Sequence, residues 1–83
     1  MQRWSEWGAM TRLTEALQRL GVEGEINLSG RWVKFRGGRF PVYVAEAAWN
    51  AGYYTWCDDS EERVVEFYLD PTEAIRAGLQ RAA

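Results

Sequence analysis

Residues 31–43 have the sequence Arg-Trp-Val-Lys-Phe-Arg-Gly-Gly-Arg-Phe-Pro-Val-Tyr, which predicts a β-hairpin. Gly37-Gly38 favours a tight two-residue turn, because glycine tolerates the positive φ angles that such turns require. Opposed residues of a hairpin share a sheet face, so this turn pairs Arg36 with Arg39 and Trp32 with Tyr43. One face is apolar and predicts core, with Val33, Phe35, Phe40, Val42 and Val44. The other face is basic and aromatic, with Trp32, Lys34, Arg36, Arg39 and Tyr43.

A second turn just upstream predicts the same sheet. Ser29-Gly30 follows residues 25–28, and a two-residue turn there places Ile26 opposite Val33. Ile26 and Leu28 then join the apolar face of the hairpin. Two turns placed independently thus agree on one register, which supports the sheet.

Further strands and a helix follow the hairpin. We expect the third strand to run to about Ala45 or Ala47 and a loop to span residues 48–52. Residues 53–57 are aromatic and β-branched, and residues 63–69 alternate, so both predict strands. Asp70, Pro71 and Glu73 then form a helix start, with an N-cap acid, a proline at the first position and a glutamate three residues after the cap.

The N-terminal segment predicts an amphipathic helix. Its apolar residues recur at spacings of three and four, Ser5 is a candidate cap, and Gly21 stands where a glycine commonly ends a helix. We interpret the stripe as core, with a groove for a partner as the alternative. The apolar residues are Trp4, Trp7, Met10, Leu13, Leu17 and Leu20.

The predicted order of elements is α-β-β-β-β-β-α, a single α+β domain over residues 1–83 with an antiparallel meander of four or five strands. Two short helices suffice to cover one face of such a sheet. The opposite face would then be left open, and we expect Tyr68 to join the hairpin residues on it.

Composition narrows the classes of function. The chain has no histidine and one cysteine, Cys57, so it has no internal disulfide and lacks the commonest zinc and iron ligands. Without histidine, the usual general base is also missing. We therefore expect no enzyme, no metal and no cofactor. No apolar run approaches the roughly 18 residues that span a bilayer, and no signal peptide is recognisable, so we expect a cytoplasmic protein without a membrane partner.

Charge is distributed unevenly along the chain. The net charge is −2, but residues 1–43 contain seven Arg or Lys and four acids, whereas residues 44–83 contain three Arg and eight acids. The basic hairpin face has three interpretations: a nucleic-acid surface in which cations meet phosphates and rings stack on bases, a protein interface, or a solvated hairpin. The acidic pI of about 5.1 is unlike that of most nucleic-acid binders.

Two further features are candidates for contacts. The acidic run of Asp58, Asp59, Glu61 and Glu62 lacks the spacing of a calcium loop, so it is either a solvated connection or part of a negative docking surface. Trp49, in a predicted loop, is either a contact residue or a plug over the core. Cys57 is most simply a small buried hydrophobe.

The second half of the chain resembles a known module. Three of its segments are similar to parts of the β-β-β-α module of HicB-type antitoxins. They are Phe40-Pro41-Val42-Tyr43-Val44, Gly52-Tyr53-Tyr54-Thr55-Trp56 and Asp70-Pro71-Thr72-Glu73-Ala74. The proline-rich segment that the family has after its second strand is absent here. The resemblance implies a small non-catalytic regulator that binds another protein.

These observations leave three hypotheses for function. The first is a non-enzymatic protein-binding module, a small bacterial or phage regulator or inhibitor of antitoxin-like or anti-defence type. The second is a nucleic-acid-binding module that uses the hairpin 31–43. The third is a homodimer in which two open sheet faces pack and bury Trp32 and Tyr43.

Overall fold

The computed structural model of the protein describes residues 11–27, 30–58 and 64–83. The elements within these ranges follow the predicted order and form an α+β fold. They are α1 (Arg12–Arg19), β1 (Gly24–Asn27), β2 (Trp32–Arg36), β3 (Pro41–Glu46), a 3-10 turn (Ala48–Asn50), β4 (Tyr53–Cys57), β5 (Glu66–Tyr68) and α2 (Pro71–Arg81). All five strands lie in one antiparallel sheet in sequence order. None of the described helices is long and apolar enough to cross a membrane.

Helix α1 begins later than the apolar spacing predicted. Thr11 is extended (φ −86°, ψ 168°), and its hydroxyl accepts the N–H of Thr14 while the Thr14 hydroxyl accepts the N–H of Thr11. This capping box starts the helix at Arg12, so a continuous helix from Ser5 is wrong at this point. Trp4, Ser5, Trp7 and Met10 lie outside the described residues.

The predicted C-terminal end of α1 is confirmed. Gly21 has φ 72°, and its N–H donates to the Gln18 carbonyl (3.0 Å) while the Val22 N–H donates to the Leu17 carbonyl (3.1 Å). Those two bonds define a Schellman motif, which requires a left-handed residue and so favours glycine. The described part of the apolar stripe packs in the core, since Leu13 and Leu17 are buried and Leu20 packs against the buried core residues.

The hairpin of β2 and β3 forms, but its turn lies one residue later than predicted. Arg36 pairs with Pro41 and Val33 with Val44, so the predicted pairs of Arg36 with Arg39 and Trp32 with Tyr43 are wrong. Moving a turn by one residue shifts the pairing by two, and side chains alternate with a period of two. Strand residues therefore keep the faces that were predicted for them.

Close packing explains the displaced turn. The Arg39 N–H donates to the Ala82 carbonyl at the end of α2, and a Cβ at Gly37 would overlap the Cβ of Ala82. Gly37 and Gly38 are not among the described glycines with positive φ. These glycines serve close approach to α2, and the left-handed turn that motivated the two-residue prediction is absent from this hairpin. The upstream register is confirmed, with Ile26 opposite Val33.

Both helices cover the same face of the sheet, as predicted, and the core lies between them and that face. Asp70 caps α2, its carboxylate accepting the Thr72 N–H at 3.0 Å, and Pro71 opens the helix. Gly78 lets α2 approach β3 closely, because a Cβ there would overlap Val42. The core cluster comprises Leu13, Ala16, Leu17, Val33, Phe35, Val42, Val44, Tyr53, Cys57, Ala74, Ile75 and Ala82.

Candidate binding surface on the open sheet face

The sheet face opposite the two helices is covered by neither of them. We call it the open face. Its residues follow from the strand registers, because residues opposite one another share a face and alternate residues lie on opposite faces. The described open-face residues are Glu25, Asn27, Trp32, Lys34, Arg36, Pro41, Tyr43, Ala45, Tyr54, Trp56 and Phe67.

Three rings on adjacent strands form a row across the middle of this face. The Trp32 and Tyr43 centroids are 5.7 Å apart at an interplanar angle of 49°, and Tyr43 stacks on Trp56 at 5.4 Å and 11°. All three side chains are half-buried although neither α1 nor α2 covers them. The rings shield one another, and such pairs each contribute about 0.5–1.5 kcal/mol beyond their buried area.

A second aromatic pair extends the surface toward β5. Tyr54 and Phe67 are directly opposed, with centroids 5.2 Å apart. Tyr54 and Trp56 were not assigned to this face from the sequence, because both faces of residues 53–57 carry apolar or aromatic side chains. Alternation was visible there, but only the pairing with β3 determines which set faces the helices. Phe67 was not assigned because the register of its strand was unknown.

The cations lie to one side of the aromatic row. The Lys34 ammonium is 5.6 Å from the Tyr43 ring centroid, within range of a cation–π interaction, and Arg36 is exposed at the end of β2. Arg39 is exposed at the hairpin tip, where its guanidinium is 5.7 Å from the Phe40 ring. The predicted basic and aromatic face thus retains Trp32, Lys34, Arg36 and Tyr43, while Arg39 lies outside the strands.

Tyr68 does not lie on the open face, contrary to expectation. It pairs with the buried Tyr53 and packs partly against the core under the helices. Burial raises the pKa of Tyr68, and the Glu66 carboxylate raises that pKa further through its charge and a hydrogen bond. Burial also raises the pKa of Tyr53; the cation of Arg12 partly offsets this rise. Both phenols belong to the covered side and are separate from the aromatic row.

Trp49 marks one end of the open face. It is 96% exposed, which excludes the interpretation that it plugs the core, and it has left-handed backbone angles (φ 63°, ψ 27°). A bulky residue with positive φ is a conformational outlier, and such strain clusters at functional sites. An open pocket of about 460 Å³ lies beside it, lined by Arg31, Trp32, Ala45, Glu46, Ala47, Ala48 and Trp49.

The predicted acidic surface is only partly described. Asp58 is exposed directly after β4, and its N–H donates to the Pro41 carbonyl at 2.9 Å. Asp59, Glu61 and Glu62 lie outside the described residues. Other acids have structural tasks: Glu66 forms an ion pair with Arg81 at 3.7 Å, and Asp70 caps α2.

Cys57 lies on the covered side of the sheet, away from the open face. It is buried, as predicted for a small hydrophobe. Within the part of the chain that the structure describes, no group of three or more His, Cys, Asp or Glu is arranged to hold a metal ion.

Comparison of the chain with family models, curated proteins and solved structures finds no match in any of the three. The similarity to HicB-type antitoxins stays a prediction.

Proposed function

We propose that this protein is a non-enzymatic binding module that docks another protein on its open face, as a small bacterial or phage regulator or inhibitor. The observation that carries the proposal is the row of Trp32, Tyr43 and Trp56 on a sheet face that neither helix covers. Aromatic residues and arginine are the types that dominate binding energy at protein interfaces.

Charge supports a protein rather than a nucleic acid as the occupant. Only Glu25, Lys34 and Arg36 carry charge among the described open-face residues, so the field over the rings is weak. Nucleic-acid surfaces combine rings with many cations that track the phosphates. A face with many rings and few charges fits an apolar partner segment that places a few carboxylates opposite Lys34 and Arg36.

Ring geometry supports the same choice. Tyr43 and Trp56 already stack on each other, so one face of each ring is occupied within the protein. A base would need a free ring face, whereas apolar side chains of a protein can pack against ring edges as well. Trp49, exposed beside the pocket, would add an anchor at the end of the row.

Capture with matched variants tests the proposal. Immobilised wild-type protein should retain one protein from a bacterial host extract, and Trp32→Ala and Trp49→Ala should each lose it. Arg76→Ala, which changes an exposed residue of α2 on the covered side, should retain it. Equal capture by all four proteins would contradict docking on the open face.

A titration with short single- and double-stranded DNA and RNA decides the alternative. We expect no binding that depends on Lys34 or Arg36. Binding that weakens steeply with added salt and is lost in Arg36→Ala would overturn the proposal in favour of a nucleic-acid module.

A further inference from the structure

The sheet has two free edges within the described residues, and they differ in character. At the β1 edge, the open-face side chains are Glu25 and Asn27, which are polar and exposed. At the β5 edge, Phe67 is on the open face and is 45% exposed, and its neighbours just outside the strand, Val65 and Leu69, are 53% and 74% exposed. Exposed apolar residues along a free edge are what proteins usually avoid, because such an edge recruits another strand.

The hydrogen-bond pattern shows that the β5 edge has backbone groups that point away from the sheet and pair with no other described strand. The Ala47 N–H donates to the Gly52 carbonyl across β3 and β4 (2.8 Å), so the backbone of Gly52 faces β3. The backbone groups of the next residue, Tyr53, therefore face β5, where Tyr53 pairs with Tyr68. Phe67 consequently directs its N–H and C=O away from the sheet.

We infer that β5 pairs antiparallel with β5 of a second copy of this chain, about a two-fold axis at Phe67. In this register Phe67 faces Phe67 of the second copy and Val65 faces Leu69, so the exposed apolar side chains meet one another. Glu66 faces Tyr68 of the second copy, and no like charges are opposed. The edge is therefore self-complementary, as a two-fold interface requires.

The pairing joins two five-stranded sheets into one of ten strands, with both aromatic rows on the same side. It differs from the face-to-face dimer because Trp32 and Tyr43 stay accessible to a partner. An interface made by such short strands buries less than the roughly 1,200 Å² of a standard complex. The dimer is therefore concentration-dependent.

Sedimentation equilibrium over a range of concentrations tests this dimer. The wild-type mass should rise from that of the 9.6 kDa monomer toward twice that value. Val65→Lys and Leu69→Lys, which change well-exposed side chains, should stay monomeric with unchanged circular dichroism. Asn27→Lys, on the opposite edge, is the matched control and should dimerise like the wild type. Amide exchange at Phe67 should slow as the dimer forms.

Three results would overturn the inference. One is a wild-type monomer at every concentration up to about 1 mM, and another is a dimer that persists in the combined Val65→Lys and Leu69→Lys variant. The third is a dimer lost in Trp32→Lys but kept in both β5 variants, which would assign self-association to the open face. These outcomes are independent of whether the open face binds another protein.

Discussion

The two faces of the sheet are packed in different ways. On the covered face, α2 comes close because Gly78 has no side chain, and its neighbours Val42 and Thr55 are fully buried. On the open face, the rings of Trp32, Tyr43 and Trp56 contact one another, and neither described helix covers them. The covered face therefore depends on distances between backbones, whereas the open face depends on contacts among its own side chains and leaves them accessible.

The largest expected effect is on the covered face. Gly78→Ala places a Cβ against Val42 Cγ1, so the helix must move away from β3. Overpacking costs about 1–3 kcal/mol, and the better helix propensity of alanine offsets about 1 kcal/mol of that. We expect the free energy of unfolding to fall by up to about 2 kcal/mol in urea denaturation.

A double variant checks the cause. Val42→Ala removes the atom that the new Cβ would meet, so Gly78→Ala should cost less in that background than in the wild type. Strictly additive effects would mean that the contact between α2 and β3 is not the reason why position 78 requires glycine.

A smaller change in stability, of opposite sign, is expected at Thr55, which lies beneath Gly78. The Thr55 hydroxyl is fully buried and makes no hydrogen bond among the described residues. A buried unsatisfied polar group costs about 1–3 kcal/mol, so Thr55→Val should raise the free energy of unfolding by about 1 kcal/mol. Thr14→Val is the control: its hydroxyl belongs to the capping box, and its loss should destabilise the protein. A destabilised Thr55→Val would show that this hydroxyl is satisfied.

The smallest effect should come from the end of the open face. Trp49→Gly removes about 1–2 kcal/mol of left-handed strain from a side chain that is 96% exposed and adds about 0.5–1 kcal/mol of backbone entropy cost. Thermal denaturation should therefore show a stability gain of about 0.5–1 kcal/mol. Trp49→Ala removes the ring but keeps the strained backbone, and should leave stability nearly unchanged. If both variants lose the captured protein, Trp49 is a contact residue that is retained at a cost in stability.

Helix-cap signals were the most reliable part of the sequence. Asp70 with Pro71 located the start of α2, and Gly21 located the end of α1, because each acts through backbone conformation within a few residues. The N-terminal apolar spacing gave the wrong helix start, because it continues through Thr11, whose hydroxyl caps the start of α1.

The candidate site was predicted in part. The assignment to the open face was correct for four residues: Trp32, Lys34, Arg36 and Tyr43. A two-residue shift in register does not change which face a strand residue occupies. Arg39 was assigned to the wrong place because the turn was predicted one residue too early. Tyr68 was assigned to the wrong face because the sequence did not give the register of β5 with β4. Trp56 could not be assigned at all, because its strand offers rings to both faces.

The sequence by itself determined the order of the elements, the α+β class and the two faces of the hairpin, since these follow from periodicity and from local backbone chemistry. Tertiary structure alone decided the turn position at Gly38, the side on which the rings of β4 and β5 lie, and the exposure of Trp49. The physical reason is that these depend on contacts between residues distant in the chain, such as Arg39 with Ala82 and Gly78 with Val42, which no local pattern encodes.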